Sequence, residues 1–332
     1  MVMTYWFYSL LLTFSFGEVF LSVDRPETGP GSSNYQHQDV LFQNFAEEAD
    51  GYWLFEPIDP KPDSAPIVVF SHGYGAYNPM IYGQWIRHLV QKGNIVIYPR
   101  YQKNLFIPKP KDFGKNAAKA IRDAIIELQS DGHVRPILDD LVLVGHSYGG
   151  VISADLAANY EAYGIPKPKA AMLCAPGTGI LKGGRLETYQ NMPKELKLLI
   201  FVEENDRIVG DEFAQLVFET ATNTPNRNLI IHYKDKHEGK KLRAKHNECY
   251  AIDWSFDSGN RNITARRALG MEQLNEVDFY GYWKLLDALM ACSRSNEDCD
   301  YALGNTKQQS YMGKWDDGKP IKALEVQLPL DE

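Results

Sequence analysis

The stretch Leu141–Ala158, LVLVGHSYGGVISADLAA, sets the tightest limit on what this chain can fold into. Leu141 to Val144 is a short, fully apolar run, the pattern of a strand buried on both faces. The far end, rich in Ala, Leu and Ile, has the pattern of a helix. Between them lies Gly145-His146-Ser147-Tyr148-Gly149, a match to G-x-S-x-G. A nucleophile at the tip of so sharp a strand-to-helix turn sits in a strained backbone conformation. Its neighbours two before and two after must lack side chains, or strand and helix collide. The turn lifts the Ser147 hydroxyl clear of the sheet edge. It also sets the Tyr148 N–H at a helix N-terminus, facing a developing oxyanion. The plainer alternative is that the glycines only end a strand and pack a helix closely. The strand before and the helix after supply the context that the nucleophile reading requires.

The remaining chain repeats the same alternation. Strands are expected at Tyr52–Glu56, Ile67–Phe70, Asn94–Tyr98, Ala170–Cys174, Leu196–Val202 and Asn228–Tyr233. Helices are expected at Met80–Lys92, Lys115–Gln129, Asp211–Thr222 and Phe279–Cys292. In the second of these, Ala118, Ile121, Ile125 and Leu128 recur at three- and four-residue spacing. Short apolar strands alternating with helices predict an α/β fold with a mostly parallel central sheet and helices on both faces. The tail from Asn305 carries little regular pattern.

Parallel strands share one carboxyl edge, so loops that follow them meet. Ser71-His72-Gly73-Tyr74-Gly75 follows the Ile67–Phe70 strand, and Tyr74 N–H is assigned as the second oxyanion donor beside Tyr148. Glu203–Gly210, EENDRIVG, follows the Leu196–Val202 strand. Asp206 is the candidate acid, in preference to Glu203 and Glu204, which still belong to the strand, and to Asp211, which suits a helix N-cap. With the order Ser…Asp…His, the histidine follows the last strand, leaving His237 and His246. His237 lies four residues past Tyr233 in a polar, charged run, and His246 thirteen residues past it. His246 is preferred because small Ala244 precedes it and Asn247–Tyr250 can begin a helix that holds it in place. His37, His88 and His133 fall in surface-like contexts; His72 and His146 flank the glycine motifs and shape the pocket.

Together HGYG at 72–75, GHSYG at 145–149, NDRIV at 205–209 and AKHNECY at 244–250 resemble the α/β-hydrolase family, over roughly Tyr52 to Trp283. Within it, the Gly-Tyr oxyanion loop and the GHSxGG elbow are similar to those of dienelactone hydrolases, chlorophyllases and cutinase-like polyester hydrolases. The A-x-H pattern at Ala244–His246 is similar to that of the cutinase-like enzymes. The resemblance implies a serine esterase with an acyl-enzyme intermediate, acting on a small-molecule or lipid-like ester without metal or organic cofactor. Lipases and peptidases share this acyl-transfer scaffold. The competing readings are a binding protein that kept the fold without turnover, and a metal-dependent hydrolase using His232, His237 and His246. The histidine spacings match no usual ligand pattern.

The net charge of −8, without a basic patch, argues against nucleic acid. Past the N-terminus no run is long and apolar enough to span a membrane. Residues 1–22 read as a signal peptide, with Tyr5–Phe16 strongly apolar, small residues Ser15, Gly17 and Ser22 near a cleavage point, and no Lys or Arg at the start. Export to the outside or the periplasm is therefore expected. Residues 23–50 read as an N-terminal extension and 51–332 as one hydrolase domain. Cys292 and Cys299 can close a small disulfide in an exported protein, Cys174 reads as a packing residue, and Cys249 is left free.

Overall fold

The computed structural model describes residues 24–181, 183–271 and 274–329. The expected signal peptide lies outside the described residues. The strands, in chain order, are β1 Asp39–Phe45, β2 Tyr52–Ile58, β3 Ser64–Ser71, β4 Ile95–Pro99, β5 Arg135–His146, β6 Pro168–Cys174, β7 Lys197–Glu203, β8 Arg227–His232, β9 Asp235–His237, β10 Lys240–Leu242 and β11 Glu325–Gln327. The helices that matter here are α1 Gly83–Gln91, α2 Phe113–Glu127, α3 Tyr148–Ala158, α4 Tyr160–Tyr163, α5 Glu212–Thr220, α6 Ile263–Ala268 and α7 Lys284–Ser295.

Nine strands form one sheet in the order β1-β2-β4-β3-β5-β6-β7-β8-β11. The run from β4 through β8 is parallel throughout. β1, β2 and β11 pair antiparallel at its margins. Both faces of the parallel strands are covered, which explains their continuous apolar composition. Val68, Phe70, Val142, Val144, Leu199 and Phe201 point to one core, shared with α1 and α7. Ile67, Val69, Leu141, Leu143, Leu198 and Ile200 point to the other, shared with α2, α3 and α5. Successive residues thus alternate between two apolar layers.

Several features escape the local pattern. Strand β1 lies within the segment read as an extension, pairing along its whole length with β2. It covers an edge and is only half-buried, so its composition is mixed. The tail adds β11 to the opposite edge and is held from below by Lys284. That buried ammonium donates to the carbonyls of Gln308, Gln309 and Tyr311 at 3.0, 3.0 and 2.5 Å. His88, expected at the surface, is buried, 2.9 Å from Asp287 and stacked on Trp283. His37 is buried too, and His133 is largely covered, 2.7 Å from Glu56. The cause at His88 is tertiary. The segment after residue 24 folds back over α1 and α7, and Arg25 lies 4.7 Å from the Phe279 ring centroid and 5.2 Å from that of Trp283. Cys292 and Cys299 form a disulfide, and Cys174 and Cys249 are buried and free. Among the described residues no helix is long and apolar enough to cross a membrane.

Candidate active site

Ser147 stands between the end of β5 and the start of α3 with φ 55° and ψ −120°. That conformation costs an L-residue of order 1–3 kcal/mol and persists only when the surroundings impose it. Here they do. Ser147 N–H donates to the Cys174 carbonyl at 2.9 Å, and the Ser147 carbonyl accepts from Gly150 and Gly177. A Cβ on Gly145 would sit 2.1 Å from the Gly149 carbonyl oxygen, and one on Gly149 would sit 2.0 Å from that of Ser71. Both glycines are therefore required by close backbone approach.

The loop after β7 brings Asp206 to the same edge. Asp206 Oδ1 accepts from the N–H groups of Ile208 and Val209 at 2.8 and 3.1 Å. Its Oδ2 accepts from His246 Nδ1 at 2.7 Å. Burial raises the Asp206 pKa, but the hydrogen bond from His246, the charge of that ring and the two backbone donors outweigh it and hold the carboxyl below its ordinary value. His246 Nε2 lies 2.8 Å from Ser147 Oγ. An ionised carboxylate only accepts, so Nδ1 carries the ring proton and Nε2 is left to accept from the hydroxyl.

The structure thus joins Ser147, His246 and Asp206 in one hydrogen-bonded line. The alternatives lie elsewhere. His237 is on the β9–β10 hairpin, 2.7 Å from Asp317. Glu203 is taken by His232 at 2.5 Å and by the Tyr282 hydroxyl. Glu204 sits near Lys234. Asp211 occupies the N-cap position of α5, yet its side chain makes no capping hydrogen bond. His232, His237 and His246 go to three different carboxylates, so they do not meet as one metal-ligand set. A His and carboxylate cluster within 4.8 Å does occur at His237, Glu238 and Asp317, on the surface and away from Ser147.

Tyr74 lines the same opening, and Tyr148 follows Ser147 directly at the start of α3. Their N–H groups have no acceptor among the described residues. The Tyr74 loop is clamped from both sides: Gly75 N–H donates to Gln102 Oε1 at 2.8 Å, and Asn262 Nδ2, just before α6, donates to the Gly75 carbonyl at 2.7 Å. The Tyr74 hydroxyl donates to Leu105 O and that of Tyr148 to Gly183 O, so both rings are fixed in place. A cavity of about 230 Å³ opens over Ser147, bounded by Gly73, Tyr74, His146, His246 and Tyr250.

One set of supporting groups left no mark in the sequence pattern. Gly73 N–H donates to the Tyr82 hydroxyl at 3.0 Å, which lies 2.8 Å from His146 Nδ1. His146 Nε2 lies 2.8 Å from the His246 carbonyl. A carbonyl only accepts, so Nε2 donates and the Tyr82 O–H points to Nδ1. The chain ties the oxyanion loop to the backbone of His246. Tyr82 falls in a stretch that reads only as an amphipathic helix, so nothing local singles it out. Burial, followed by the nearby charge of His246, pushes the His146 pKa down to about 3, and burial pushes that of His72 down to about 4. The folded chain therefore keeps His146 neutral, whereas the unfolded chain protonates it near 6.5. Acid thus favours the unfolded state, and the stability this histidine supports is lost as pH falls from 6.5 toward 3. In His146→Gln that dependence is absent. The stability advantage of the native chain over the variant should shrink by about 2 kcal/mol between pH 7 and 5, read from urea unfolding. An advantage that stays constant with pH would overturn the neutral assignment.

The mostly parallel sheet covered by helices and the strained serine turn between strand and helix are those of the α/β-hydrolase fold. More narrowly, the family model described as Chlorophyllase matches residues 55–188. The match points to an ester hydrolase of this superfamily. The matched span holds the HGYG loop and the serine turn and ends before Asp206 and His246. No curated protein matches the chain.

Proposed function

We propose that the protein is a serine ester hydrolase working through an acyl-enzyme. Ser147 Oγ attacks the ester carbonyl carbon while its proton passes to His246 Nε2. The oxyanion is held by the Tyr74 and Tyr148 N–H groups, each such donor being worth about 10²–10³ in turnover. Collapse breaks the ester C–O bond, and His246 returns the proton to the departing alcohol. Water, deprotonated by His246, then attacks the acyl-enzyme and releases the acid. Asp206 keeps the imidazole in the Nδ1–H tautomer and stabilises its cation.

The observation that carries this reading is the unbroken line from Ser147 Oγ through His246 to Asp206, 2.8 and 2.7 Å per step. The expected substrates are small-molecule or lipid-like esters. The disulfide between Cys292 and Cys299 supports folding in an oxidising compartment, in keeping with the export expected from residues 1–22.

A fluorophosphonate should label Ser147 stoichiometrically, as located by peptide mass. Asp206→Asn should keep the fold and lower turnover of a short-chain nitrophenyl ester by about 10⁴. Absence of labelling, or a harmless Asp206→Asn, would count against the mechanism.

A further inference from the structure

Beside the opening over Ser147 lies a larger cleft of about 570 Å³, and His246, Asn247 and Ile208 border both. Its walls come from the two segments that carry Asp206 and His246 and, on the other side, from Gly270, Met271 and Asn275. These segments are tied together: Asn205 N–H donates to the Ala244 carbonyl at 2.8 Å, and Asn205 Nδ2 donates to the Arg243 carbonyl at 3.0 Å. Along the second segment the side chains alternate. Ala244 and His246 are buried; Arg243 and Lys245 are exposed and line the cleft. On the first segment Asp206 turns inward to His246 and Arg207 turns outward to the cleft. The conformation that presents the acid and the base to Ser147 therefore also gathers three cations next to them.

That concentration runs against a chain whose net charge is −8. Among the described residues neither Arg207 nor Lys245 has an acidic partner. Among the described residues lining the cleft the one carboxylate is Glu248, whose Oε1 accepts from the Lys245 N–H. The amides of Asn205 and Asn247 face the same space and can donate to an oxygen anion.

We propose that this cleft is a subsite for a carboxylate carried on the alcohol half of the substrate ester, an inference that rests on the ester hydrolase reading. The side follows from the geometry. Tyr74 and Tyr148 N–H groups take the acyl oxygen, while His246 Nε2 hands its proton to the alcohol oxygen. The cleft borders His246 and neither tyrosine. An alcohol leaving past His246 therefore extends toward Arg207 and Lys245. Both cations are solvent-exposed, so the attraction is modest and weakens with salt.

The test compares 4-butyryloxybenzoate with its neutral methyl ester, which share one scissile bond, each rate being divided by that of alkaline hydrolysis. The wild-type protein should prefer the anion in kcat/KM by about fivefold to tenfold at low salt, mainly through KM. In 0.5 M NaCl, where the screening length falls to about 4 Å, the preference should largely vanish. The double variant Arg207→Ala/Lys245→Ala should lose the preference through the anion alone. Equal normalised kcat/KM for the two esters in the wild type, or an equal fall for both in the variant, overturns the subsite. If neither ester is cleaved, the hydrolase reading fails, and binding decides the subsite on its own. Titration of the wild-type chain with 4-hydroxybenzoate should then show tighter binding than its methyl ester, lost in the double variant. Equal binding of the two overturns it.

Discussion

Ser147→Ala is expected to leave the fold intact and to lower ester turnover by about 10⁶-fold, the loss typical of removing the nucleophile of a triad. The fold should survive because the substitution removes one oxygen and keeps the Cβ that the φ of 55° already accommodates. No other group takes over the attack. The other hydroxyls lining the opening are those of Tyr74, Tyr250 and Thr264; burial raises the pKa of both tyrosines, and among the described residues none of the three hydroxyls is hydrogen-bonded to a histidine that could take its proton. The residual rate should come from the oxyanion donors and from binding, roughly 10³–10⁴ over water. The measurement is single-turnover kinetics with a nitrophenyl ester, alongside thermal unfolding of the same preparation. Near-normal turnover with an unchanged unfolding curve would remove the serine mechanism altogether.

His246→Ala should cost turnover to a similar degree, about 10⁶-fold, whereas His237→Ala should change it by less than about twofold. The physical difference lies in the partners. His246 is buried between Ser147 Oγ and Asp206 Oδ2, so its loss leaves the hydroxyl without an acceptor and the carboxylate without its donor. His237 sits on a surface hairpin beside Asp317 and the ring of Trp315, and its loss reaches neither the nucleophile nor the oxyanion donors. Turnover across pH 5 to 9 separates a base from a merely structural residue. The limb that rises with pH should persist in His237→Ala and be absent from the residual activity of His246→Ala. The reverse pattern would transfer the role of base to His237.

Much of this architecture is legible before any folding is considered. The apolar runs of β3 to β8 alternate with amphipathic helices, and such runs are stable only when both faces are covered. The turn around Ser147 is equally plain, because backbone contacts near 2 Å leave no room for a Cβ at Gly145 or Gly149. Strand β1 and β11 were not legible. Each covers an edge of a sheet built by other segments, so neither needs an apolar face of its own. The same holds for His88, which reads as a surface residue until Arg25 and Trp283 close over it.

The choice among carboxylates and histidines belongs to a different level. From the chain alone, Glu203, Asp206 and Asp211 all lie at or just past the end of one strand, and His237 and His246 both follow the next. Their separation comes from three-dimensional bookings of hydrogen bonds. Glu203 is occupied by His232 and Tyr282, and Asp317 in the distant tail occupies His237, which leaves Asp206 and His246 for each other. The chain of Gly73, Tyr82 and His146 and the cations Arg207, Arg243 and Lys245 likewise come together only across segments far apart in sequence. Local sequence determines which residues must be glycine, strand or helix, because those constraints act within a few bonds. Which acid meets which base is set by long-range packing of loops at the sheet edge, where contact is independent of distance along the chain.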